Sequence, residues 1–162
     1  MEAKKEIEYL GEIIPGKWIP FWNNGSWSMH QLLEYILTFT GPSKVFLTAF
    51  SLSEEPVRKL LLLKEAGQIT ELRCLFNDQL KRFKTDILLF SSNVADEIRT
   101  VPVHAKVILI KGRFNVMVIG SANLTRNERY EAGVISSDQN AFKQMELSVM
   151  LTWQFATPLN YD

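Results

Sequence analysis

Two apolar runs, Val107-Ile108-Leu109-Ile110 and Val116-Met117-Val118-Ile119, flank the turn-forming segment Lys111-Gly112-Arg113 and constrain this fold more than any other feature. They read as two strands of a hairpin. Polar residues spaced two apart bracket the pair: His104 and Lys106 precede the first run, and Ser121 and Asn123 follow the second. Side chains in an extended strand repeat with period two, so His104 and Lys106 are expected on one face, with Ala105 on the other. The hairpin would bring an imidazole, an ammonium, a hydroxyl and a carboxamide to neighbouring positions of one sheet. Glu131 follows shortly after. Such a set can bind a phosphoryl group without a metal, and no metal or cofactor is expected.

The rest of the chain alternates strand and helix signals. Residues 7–14 suggest an N-terminal strand, and Pro15-Gly16 and Asn23-Asn24-Gly25 suggest turns around Trp18, Phe21 and Trp22. Those aromatics are suited to stacking on bases, but coverage of a core or an interface is the expectation, because aromatics dominate burial energetics. Ser28-Met29-His30-Gln31 has the form of a capping box. The helix it opens carries an apolar stripe of Met29, Leu32, Leu33, Ile36 and Leu37 and stops at Gly41-Pro42, with His30 expected to face solvent. Residues 44–50 read as a strand, Ser53 as the cap of a helix, and residues 69–76 as a second strand. A second helix is expected from Asp78 to about Phe90, a short strand near Val134-Ile135, and a last helix capped by Asp138. This rhythm predicts an α/β fold, a mixed β-sheet flanked by helices with buried central strands.

Composition narrows the class. Apolar residues make up 46% and charged residues 22%, which excludes a disordered chain and suits one globular domain over residues 1–162. No apolar run approaches the ~18 residues of a membrane span. The alternating charges of Met1-Glu2-Ala3-Lys4-Lys5-Glu6 do not resemble a signal peptide, so a cytoplasmic protein is expected. Cys74, the one cysteine, lies in an apolar run and is expected to be a buried, inert thiol. The formal net charge of zero argues against bulk electrostatic capture of a polyanion. Residues 101–135 are locally basic, however, with Lys106, Lys111, Arg113, Arg126 and Arg129 against Glu128 and Glu131. Lys111, Arg113, Arg126 and Arg129 are therefore candidate substrate-binding residues, and Arg73, Lys81, Arg82 and Lys84 form a second modest cluster around Asp78.

The two halves together, H-x-K at 104–106 and G-S-x-N at 120–123 with Glu131 beyond, resemble the signature of the phospholipase D superfamily. The resemblance is sharp over about Val103 to Val134 and looser from Val45 onward. It implies a phospholipase D-like single domain. It also implies a phosphodiesterase in which two motif copies face each other, contributed in small bacterial endonucleases by two identical subunits. This chain holds one copy and is similar in size to those endonucleases, so a homodimer is implied. The family pattern H-x-K-x4-D has a supporting aspartate where this chain has Lys111.

The chemistry follows from the residues. Neutral His104 is suited to attack phosphorus through Nε2, with Glu131 as the candidate orienting carboxylate. Lys106, Ser121 and Asn123 would bind the non-bridging oxygens. The leading reading is a metal-independent nuclease acting on DNA or RNA through a phosphohistidine. The alternatives are a phospholipase or phosphatidyl transferase using the same site, and a catalytically silent nucleic-acid-binding or assembly module. No membrane partner is expected, since nothing reads as a basic amphipathic helix.

Overall fold

The computed structural model describes residues 6–126 and 128–160, so residues 1–5 of the charged N-terminus lie outside them. The chain runs β1 (Trp18–Asn23), α1 (Met29–Thr40), β2 (Ser43–Ala49), α2 (Glu54–Glu65), β3 (Ile69–Asn77), α3 (Leu80–Phe83), α4 (Thr85–Val94) and β4 (Glu97–Val101). It continues through β5 (Val107–Lys111), β6 (Asn115–Gly120), β7 (Glu131–Ser136), α5 (Gln139–Phe155) and β8 (Thr157–Pro158). One mixed sheet has the order β1-β7-β6-β5-β2-β3-β4-β8. β2, β3 and β4 pair in parallel through helical crossovers, and every other pairing is antiparallel.

Alternation along the central strands builds two cores. Val45, Leu47, Ile108, Ile110, Val116 and Val118 face α1, α2 and α4 in the larger one. Phe46, Leu109 and Met117 face Phe142 and Trp153 of α5 in the smaller. Helices on both faces explain why the two apolar runs lack polar alternation. The expected hairpin is present, with Val107↔Ile119 through Lys111↔Asn115 in register. Asp138 caps α5 as expected, its Oδ1 accepting from Ala141 N–H at 2.8 Å. Cys74 is buried, and burial pushes its thiol far above the ordinary range, consistent with an inert side chain.

Four details differ from the sequence expectations. Residues 7–14 are not a strand: Glu8–Leu10 form a 3-10 turn, and Ile7, Leu10 and Ile13 are buried against the main core. The strand is instead Trp18–Asn23, between the two turns, at the edge of the sheet. Pro20 fits there because an edge strand does not need every N–H. The helix expected from Asp78 is two helices, divided where Lys84 leaves helical geometry (φ −139°, ψ 43°). β4, whose burial alternates along Glu97–Val101, was not anticipated.

The fourth correction concerns His30, which is buried and not solvent-facing. α1 packs against both the sheet core and the neighbouring α2, so its buried surface is wider than one stripe and takes in His30 and Thr40. The Nδ1 of His30 has no hydrogen-bond partner. Burial holds its pKa below the ordinary histidine value; Glu55 opposes this, Lys59 reinforces it, and Glu34 opposes it. A base with a lowered folded-state pKa binds fewer protons than the unfolded chain, so its contribution to stability is fully present above ~6.5 and is lost on acidification below that value. The urea midpoint of the wild type should therefore fall between pH 7.5 and 5.5. His30→Leu, which places a similar apolar volume there, should flatten that part of the profile.

Candidate active site

The antiparallel hairpin and the parallel β2–β3 pair bring four strand ends together at one end of the sheet's central strands. These are the start of β5, the end of β6, and the ends of β2 and β3. His104 and Lys106 lie just before β5, and Ser121 and Asn123 lie just after β6, outside the ladder. The period-two rule that placed His104 and Lys106 on one strand face therefore does not govern their side chains.

Buried polar groups hold the His104–Lys106 segment off the sheet. The Thr48 hydroxyl donates to Ala105 C=O at 2.5 Å and accepts from Val107 N–H at 2.9 Å. It thus takes the position of a ladder rung between β2 and β5. Asn77, at the end of β3, donates from Nδ2 to Val103 C=O at 2.8 Å. Gly120 N–H donates to Lys106 C=O at 3.1 Å. The His104 imidazole stacks on Phe50, with ring centroids 4.4 Å apart and planes 24° apart. The Lys106 ammonium donates to His104 C=O at 3.2 Å.

The second half of the motif is tied to the same loop. Asn123 Oδ1 accepts from both Phe50 N–H and Ser51 N–H at 3.2 Å, which fixes the loop that carries the ring under His104. Ser121 Oγ donates to a Glu131 carboxylate oxygen and accepts from Ala132 N–H at 3.0 Å. His104, Lys106, Ser121, Asn123 and Glu131 are thus gathered at one end of β5, β6 and β7. The imidazole, ammonium, hydroxyl and carboxamide gathered there are groups of the kind that can bind a phosphate, cationic and neutral donors together.

The four candidate substrate-binding residues separate. Arg126 and Arg129 are exposed on the loop between β6 and β7, beside the site, and Arg126 pairs with Glu55 at 3.5 Å. Lys111 and Arg113 sit at the opposite end of the hairpin, about 17 Å of strand beyond Lys106. Lys111 pairs with Glu146 of α5 at 2.9 Å, and the Arg113 guanidinium packs over Gly41. These two are corrected as substrate contacts, because the strand's direction carries them away.

The second basic cluster also divides. Arg73 pairs with Glu71 at 2.7 Å within β3, whereas Lys81, Arg82 and Lys84 are exposed at α3, which follows the end of β3 at the site's edge. Thr48, Asn77 and Phe50 were missed from the sequence. Thr48 and Asn77 are polar residues inside or ending apolar strands, and that signal requires a buried partner. Thr48→Val keeps the shape but strands a carbonyl and an N–H, at a cost of about 1–3 kcal/mol. It should also lower kcat about ten-fold by loosening His104, with KM little changed. Steady-state kinetics and thermal melting of one preparation check both.

No family model matches the sequence, and no curated protein matches it. Solved structures do match. Nuc of Salmonella typhimurium, a phospholipase D family member, aligns over 90% of this chain and 99% of its own with TM-score 0.68 at 16% identity. The chain has the phospholipase D fold. The same fold aligns with TrmBL2, an archaeal chromatin protein whose structure shows a mode of DNA binding, over 97% of this chain and 62% of that one (TM-score 0.58, 13% identity). It also aligns with phosphatidylserine synthase of Haemophilus influenzae over 88% of this chain and 40% of that one (TM-score 0.62, 16% identity). At these identities the likeness is one of fold; within that phospholipase D fold, the H-x-K and G-S-x-N segments lie at one end of the central strands β5 and β6.

Proposed function

We propose that this chain is a metal-independent phosphodiesterase that cuts nucleic acid at a site shared by two copies of itself. The observation that carries the reading is the set of side-chain clamps at one end of the central strands, buried Thr48 and Asn77 on the His104–Lys106 segment and Asn123 on the loop carrying Phe50. A merely structural loop has no need of a histidine raised off the sheet beside a lysine. In the first step His104 Nε2 forms a bond to phosphorus while the P–O bond to the leaving group breaks. The imidazolium of His104 from a second copy gives its proton to the departing oxygen. In the second step that now-neutral imidazole takes a proton from water, the water oxygen bonds to phosphorus, and the P–N bond breaks. Lys106, Ser121 and Asn123 stabilise the equatorial oxygens, and Glu131 holds Ser121.

Two features favour nucleic acid. Lys81, Arg82 and Lys84 on one flank and Arg126 and Arg129 on the other place basic groups on both sides of the site, as a backbone track requires. TrmBL2, which shares the fold, is a DNA-binding protein. Among the described residues, no helix is long and apolar enough to cross a membrane. The likeness to phosphatidylserine synthase favours the lipid reading, which uses the same residues. Plasmid DNA, single strands, RNA and phosphatidylcholine vesicles assayed side by side in EDTA separate the two. Turnover of a nucleic acid with EDTA present is the expected result, and turnover of vesicles alone rejects it. A silent binding module is the outcome if wild type and His104→Ala bind nucleic acid equally and neither turns over any diester.

A further inference from the structure

We infer that Trp22 and Tyr130 form a base-stacking platform for single-stranded nucleic acid, seating a base beside the phosphate bound at Ser121. The identity of the polymer rests on the proposed function above; the platform's geometry does not. Trp22 is 65% exposed and Tyr130 69% exposed, with ring centroids 5.8 Å apart and planes 31° apart. Phe21, the intervening neighbour on β1, is buried in the core. Strand alternation thus divides the aromatic segment expected to cover a core: one ring packs inward, while Trp18 and Trp22 stand on the open face. Soluble proteins rarely leave contiguous aromatic surface open unless something binds it.

The platform is fixed in place. Trp22 pairs with Ala132 in the β1–β7 ladder, and Tyr9 donates its hydroxyl to Trp22 C=O at 3.0 Å. Gly25 adopts φ +90°, and a Cβ there would lie 2.7 Å from the Glu128 carbonyl carbon. Only glycine permits that approach, which packs the β1–α1 turn against the loop leading to Tyr130. Below Trp22 a groove of about 330 Å³ is lined by Glu6, Tyr9, Trp22, Asn24, Ser26 and Trp27. The exposed Tyr9 and Trp22 rings, with amide and hydroxyl groups at the rim, match a nucleobase, which is planar and has a hydrogen-bonding edge. The Glu6 carboxylate in this groove repels phosphate, so the base lies toward Trp22 and the backbone stays on the Ser121 side.

Register supplies the distance to the chemistry. Ala132 is flanked by Trp22 on one side and on the other by Ser121, whose N–H donates to Ala132 C=O at 3.0 Å. Two strand spacings put Trp22 about 10 Å from Ser121, the separation of a phosphate from the base of a nearby nucleotide. A base held in a duplex cannot lie on such a platform, so the substrate class is single-stranded nucleic acid.

The test uses the full chain carrying His104→Ala, so that the strand is not cut. Fluorescence anisotropy compares a labelled oligothymidylate with an abasic strand bearing the same phosphates. The expected result is about ten-fold tighter binding of the base-bearing strand. That preference is lost on adding Trp22→Ala, weakened by Tyr130→Ala and retained by Trp22→Phe. Equal binding of both strands by the parent, or no binding of either, overturns the inference. A Trp22→Ala protein that loses both strands alike while sedimenting as a monomer, where the parent is a dimer, also overturns it and assigns the patch to a subunit contact. Wild-type turnover of bis(p-nitrophenyl) phosphate, a diester without a base, reports the chemistry separately. A base preference that disappears with Trp22, in a protein that hydrolyses no diester, leaves the platform standing and rejects the phosphodiesterase.

Discussion

His104→Ala is expected to lower phosphodiester turnover by ~10⁴ or more, the largest effect of any single substitution in this chain. In the proposed shared site each copy would lend the same residue, so one change would remove both the attacking nitrogen and the acid for the leaving oxygen. Stability should barely move, because the ring is exposed and its principal contact is the stack on Phe50. Mixing experiments sharpen the prediction. When wild type and His104→Ala exchange subunits freely, activity should fall as the square of the wild-type fraction, to about a quarter at equal amounts, since hybrid pairs lack one imidazole. A linear fall means that each copy works alone and rejects the shared site. The proposed mechanism calls for one free base and one protonated acid, so wild-type kcat/KM should be bell-shaped in pH.

Lys106→Met is expected to cost ~10² to 10³ in kcat, as removal of one preorganised donor to a transition-state oxyanion typically does. The thioether keeps the length and apolar stem of lysine, so the strand start should be preserved. Its backbone C=O still accepts from Gly120 N–H, which keeps the hairpin closed. Lys106→Arg keeps the charge but presents a planar fork where a point charge is needed, so it should recover only part of the rate. If Lys106→Met matches wild type in single-turnover rate while binding substrate more weakly, the lysine serves ground-state binding and its assigned role fails.

Much of the sheet was legible because its signals are local. The hairpin required only two apolar runs and a glycine between them, and the Asp138 cap required only an oxygen near the N–H of Ala141. His30 was misread because one helical stripe was taken as its whole buried face, whereas contact with α2 covers a second face that no local periodicity reports. β1 was misplaced because Trp18, Pro20 and Trp22 face outward from an edge strand and mask the alternation of Ile19, Phe21 and Asn23. Lys111 and Arg113 were grouped with the site because they are near it in sequence. Strand direction, which converts each residue into about 3.3 Å of travel, carries them to the far end.

The sequence by itself determined the reactive inventory and its order along the chain: the imidazole and ammonium, two strands, the hydroxyl and carboxamide, then a carboxylate. Those follow from covalent spacing and strand propensity, which act over a few residues. Only the tertiary structure decided that Thr48 and Asn77, far earlier in the chain, clamp the H-x-K segment, and that Asn123 reaches back to the loop carrying Phe50. It also decided that Trp22 stands two strands from Ser121. Those contacts depend on which strands become neighbours, an outcome of burying both faces of one sheet at once.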